Sequence, residues 1–161
     1  MKKELDQKAL EELSFMRDWI WEIVDFLVKS QNEGEFFKLL YPPVTETFDK
    51  KDLRGMKMMY NDINEMAGDL SPHQLNELNR ILRAKFGFDL NKAHDKFLAK
   101  INRIVQRGYL KNDDEFRLLY SRVDEIYADD SKKEEVEILE KLMGDYEESK
   151  AAKMHKKDFF E

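Results

Sequence analysis

Apolar residues recur at steps of three and four along nearly the whole chain, from Leu13 to Tyr146, and that spacing confines it to helices. The densest stretch lies between residues 4 and 30. There Leu13, Met16, Ile20, Ile23, Val24 and Leu27 line one face, while Phe15, Trp19, Trp21, Phe26 and Val28 widen it until most of the circumference is apolar. A helix of this kind is buried at the centre of its fold. Its polar residues Glu11, Asp18, Glu22, Asp25 and Lys29 fall on one narrow line, which must face water or a cationic neighbour.

Downstream, glycine and proline punctuate the pattern. Residues 33–41 read as a short helix carrying Phe36, Phe37, Leu39, Leu40 and Tyr41, stopped by Pro42-Pro43 and followed by a loop to about Asp49. A helix over about 50–67 directs Leu53, Met56, Met59, Ile63 and Met66 inward. Ser71-Pro72 caps and opens the next, which runs to Phe86 with Leu75, Leu78, Ile81 and Leu82 inward and Gly87 as its stop. Over about 90–107, Leu90, Ala93, Phe97, Ile101, Ile104 and Val105 repeat helically, and Gly108 is placed to close the helix in the left-handed conformation. Asn112-x-x-Glu115 then starts a helix with Phe116, Leu119, Tyr120, Val123 and Ile126 inward, and Ser131-x-x-Glu134 repeats the device before Val136, Leu139, Leu142, Met143 and Tyr146. The apolar stripe ends near Ser149.

These segments predict an all-α fold, one bundle of about six to seven helices over residues 1–150 with no β-sheet, and a polar tail over 151–161 that frays. The 161 residues fit a single domain, and the 43 that are Leu, Ile, Val or Phe suffice for a core. Charged residues make up 39% of the chain, which calls for slender elements covered by long polar side chains.

Composition also removes whole classes of function. There is no cysteine, hence no disulfide framework, thiolate metal site or cysteine nucleophile. No Gly-x-Gly-x-x-Gly or Gly-x-x-x-x-Gly-Lys occurs, so the common nucleotide cradles are missing. The first residues do not form a secretion signal, and the most apolar run, Phe15 to Val28, is interrupted by Arg17, Asp18, Glu22 and Asp25, so no membrane span is expected. The reading is a cytoplasmic protein without a cofactor or resident metal.

Individual candidates reduce to structural roles. His94 shares a helix face with Phe97 and Ile101 and reads as a core histidine, His73 as a residue of an exposed first turn, and His155 as part of the tail. Asp18, Glu22 and Asp25 lack the Glu-x-x-His partners of a di-iron bundle. Asp129-Asp130-Ser131 lacks the spacing and glycine of a calcium loop and reads as a capping turn. Four of the eight methionines gather between Met56 and Met66; exposure of Met58 together with Tyr60 would favour an adaptable docking groove over core filler. Two tail aromatics, Phe159 and Phe160, offer a further docking element.

Charge is placed unevenly. Residues 51–110 are net basic and both flanks net acidic, within a total of −6. The excess concentrates in Lys92, Lys96, Lys100, Arg103 and Arg107, a cationic stripe opposite the apolar side of one helix. Such a stripe pairs with the chain's own carboxylates, meets an acidic protein, or neutralises phosphates. The net negative charge and the single nearby aromatic, Tyr109, disfavour nucleic acid.

Gly108 to Phe116, followed by Arg122 to Ile126, resembles a helix-start pattern scattered among small bacterial helical proteins, acidic antitoxins included. It implies a glycine stop, a cap and an amphipathic start, and it names no family. The sequence therefore reads as a regulatory or adaptor-like protein that binds another protein, with Lys92, Lys96, Lys100, Arg103, Arg107, Met58 and Tyr60 as the contact residues. The alternative is an enzyme or ligand-binding bundle with a pocket near His94; a third reading is weak nucleic-acid binding through Lys92 to Arg107. Oligomeric state is left open.

Overall fold

A computed structural model describes the backbone of residues 4–160 and the side chains of residues 4–154. The described residues form seven α-helices and two short 3-10 turns, with no strand: α1 (Gln7–Ser30), a 3-10 turn (Gly34–Leu40), α2 (Tyr41–Asp49), α3 (Leu53–Gly68), α4 (Pro72–Phe86), α5 (Leu90–Arg107), α6 (Asp113–Ile126), a second 3-10 turn (Asp130–Lys132) and α7 (Lys133–Phe160). The all-α expectation holds. The packing falls into two units, residues 1–94 and 95–161, and α5 contributes to both.

The first unit is built around α1. Leu13, Met16, Trp19, Ile20, Ile23, Val24 and Leu27 are all buried, and Val44, Met56, Ile63, Leu78 and Leu82 close over them. Burying each such side chain contributes roughly 1.5–3 kcal/mol. Trp19 is the hub. It stacks on Phe88 at 4.9 Å, lies among Phe15, Tyr60 and Phe86, and its indole Nε1 donates to Asn64 Oδ1 at 2.7 Å, so its polar edge is satisfied without water.

Helix starts follow local chemistry. Ser71 Oγ accepts from the Gln74 N–H, Asn112 Oδ1 from the Glu115 N–H, and Asp52 Oδ1 from the Gly55 N–H. Gly87 takes a left-handed φ of +83°, which ends α4 at the expected residue.

Several sequence expectations are corrected. Pro42-Pro43 do not stop a helix and open a loop; they occupy the first turn of α2, where a missing N–H costs nothing. On α3, Met56 and Ile63 are buried as expected, but Ala67 rather than Met66 takes the last inward position and Met66 is exposed. His94 is exposed despite its apolar register, and Tyr120 points outward at the solvent edge of α6. Ser131 is not a helix cap; Asp129 accepts from its N–H and its hydroxyl to form the second 3-10 turn ahead of α7. The frayed tail expected over 151–161, together with His155, Phe159 and Phe160, extends beyond the described side chains.

The second unit packs Ile101 and Ile104 of α5 with Leu119 of α6 and Leu139 and Leu142 of α7. Sequence reasoning missed its polar tie. Arg122, among the few buried polar residues, donates from Nε and Nη2 to both carboxylate oxygens of Glu135 at 3.1 and 3.0 Å, and from Nη1 to Glu125 at 3.0 Å. That fork fixes α6 against α7 with directional bonds.

Candidate interaction surfaces

Lys92, Lys96, Lys100 and Arg103 are exposed on α5, while Ala93, Ile101 and Ile104 of the same helix are buried. Steps of four, four and three residues keep the cations within a quarter-turn of one another, over a length of about 17 Å. Lys96 and Lys100 each make an interaction within the chain and are exposed nonetheless.

Arg107, the fifth member, is committed elsewhere. Its Nε and Nη2 donate to the Tyr109 carbonyl at 3.1 and 2.8 Å, Nη2 also reaches the Glu115 carboxylate, and the guanidinium stacks 4.9 Å from the Tyr109 ring. Glu115 in turn accepts from the Lys111 N–H at 2.7 Å. Arg107 thereby fastens the α5–α6 turn and leaves Tyr109 exposed at the end of the row. The capping spacing announced Glu115, but nothing in the sequence announced its second partner.

Met58 and Tyr60 do not form an exposed groove. Both are half-buried, and the Tyr60 ring lies 5.8 Å from Trp19 and 6.1 Å from Phe15, where burial pushes its hydroxyl above the ordinary range. They belong to α3 in the first unit, whereas Lys96 to Arg107 belong to the second.

The acidic line of α1 has found partners. Glu22 pairs with Lys85 of α4 at 2.6 Å, and this bond, with the fields of Asp18 and Asp25, holds the Lys85 ammonium above its usual range. Asp25 accepts from the Tyr41 hydroxyl; burial, reinforced by that bond, pushes Tyr41 up to about 12. Arg17 lies 4.1 Å from the Phe48 ring and 5.0 Å from Trp21, joining α1 to α2. Among the described residues no three His, Asp or Glu side chains converge as metal ligands.

The first 3-10 turn carries two exposed apolar side chains. Phe36 is 68% exposed and Leu39 66%. With three residues per turn, Phe36 and Leu39 stack in one outward column, Glu35 and Lys38 in a second, and Gly34, Phe37 and Leu40 face the fold. No family model matches the chain, and no curated protein or solved structure is similar to it.

Proposed function

We propose that this chain is a non-catalytic regulatory or adaptor-like module that contacts another protein through the cationic face of α5. The observation that carries this reading is the exposure of Lys92, Lys96, Lys100 and Arg103 on a single face of one helix. Such a row accelerates encounter with an acidic surface and fixes register on it, and its exposure spares the cost of stripping water from buried charges. The exposed imidazole of His94 speaks against an enclosed pocket at that point. Nucleic acid is the second reading, because exposed cations in a row also neutralise phosphates; the net charge of −6 and the single nearby aromatic, Tyr109, weigh against it.

The test is affinity capture from native cells with the wild-type chain and with K96E/K100E/R103E, compared at low and at moderate salt after nuclease treatment. A partner protein retained by the wild type, depleted at least about tenfold on the variant, as expected for loss of some 1.4 kcal/mol or more, supports the reading. Equal retention by both, or bound material that the nuclease destroys, overturns it. Matching thermal melts establish that the variant is folded.

A further inference from the structure

The first 3-10 turn is held rigidly from beneath. Gly34 is buried against the end of α1, where an added Cβ would stand 1.9 Å from the Val28 carbonyl oxygen, and its N–H donates to the Gln31 carbonyl at 3.0 Å. Phe37 and Leu40 pack onto the first core. Phe36 and Leu39 are therefore presented outward by a fixed backbone, and the exposed Pro42 and Pro43 extend the apolar surface with rings that lose no rotamer freedom on contact.

The charges beside this pair run in opposite senses. Glu35 and Lys38 form an exposed ion pair with each other at 3.0 Å, with its acid toward the start of the turn and its base toward the end. We propose that the turn is a self-association surface, occupied by a second copy of this chain related by a twofold axis perpendicular to the turn. That axis reverses the direction of the column, so Glu35 of each copy meets Lys38 of the other, while Phe36 packs on Leu39 across the axis in both directions. A uniformly acidic or basic partner would meet repulsion at one end, whereas the chain itself is complementary at both. Two large side chains and two prolines per copy cover less than the roughly 800 Å² per partner of a standard stable interface, so the pair is weak and concentration-dependent.

Sedimentation equilibrium of the full chain, from about 10 μM to about 1 mM, tests this in the range where weak pairs populate. The weight-average mass rises above 19.3 kDa toward twice that value. F36S/L39S stays at the single-chain mass. E35K and K38E each reduce association by setting like charges opposite one another, and E35K/K38E restores it, because the swapped pair is again complementary under the same axis. A wild-type chain that is monomeric throughout, unaltered association of F36S/L39S, or failure of the double swap to restore it overturns the proposal. All four substituted side chains project into solvent, and the thermal melts of the four variants are expected to match the wild type.

Discussion

At the scale of single residues, the second unit depends on Arg122. Its guanidinium is buried between Glu135 and Glu125, whose carboxylates stay about one-third exposed, so removing it breaks the fork while water still reaches the two acids. R122A is expected to lose about 1.5–3 kcal/mol in urea denaturation, and R122M less, because methionine refills the volume. Equal stability of wild type and R122A would contradict this account of α6 and α7. Asp89 makes a pH-dependent contribution. Burial opposes its ionisation, but the Arg83 guanidinium at 2.6 Å and the N–H groups of Lys92 and Asn91 outweigh it and hold the carboxyl below its usual range. The folded chain thus favours the ionised form, so the stabilisation is complete above the unfolded value near about pH 4 and drains away as pH falls through the lower folded value. D89N keeps an acceptor for the α5 start but cannot ionise. The stability gap between wild type and D89N should be present near about pH 6 and narrow near about pH 3; a gap that stays constant would remove the charge from the explanation.

At the scale of elements, the start of α4 was legible because Ser71-Pro72 has one favourable local solution, and the same holds for Asn112 ahead of α6. Pro42-Pro43 was misread because the same ring that stops one helix is harmless in the first turn of the next, and only the packing of Val44 onto the core decides between the two. In α3, counting hydrophobicity selected Met66, whereas burial selected Ala67, the smaller side chain. The 3-10 turn hid its own surface. Helical spacing alone puts Phe36 and Leu39 on one side of a short helix without saying which way that side points; at three residues per turn they form an outward column. Gly34 gives this element a sharp test. A Cβ there meets backbone that cannot swing aside, so G34A should cost about 1–3 kcal/mol and shift the amide resonances of Val28 and Phe37. A silent substitution would mean that the turn is not seated as described.

At the scale of the whole molecule, the sequence laid out the cationic row completely, since helical period alone places Lys92, Lys96, Lys100 and Arg103 together. It did not show that Arg107 is spent on the α5–α6 turn or that Tyr60 is packed against Trp19, because both depend on contacts between segments that the sequence does not pair. What emerges is a helical chain whose acidic line on α1 is engaged by Lys85 and Tyr41, with Lys92, Lys96, Lys100 and Arg103 exposed on one face of α5. The claim that this face is where the protein acts is tested most directly by photo-crosslinking in native cells, with a photoreactive residue replacing Gln106, which borders the row, or Glu137, an exposed position on α7. A discrete protein adduct at Gln106 that is absent at Glu137 and disappears when K96E/K100E/R103E is added is the predicted result. Adducts that form equally at both positions, or that persist in the charge-reversed chain, would contradict it.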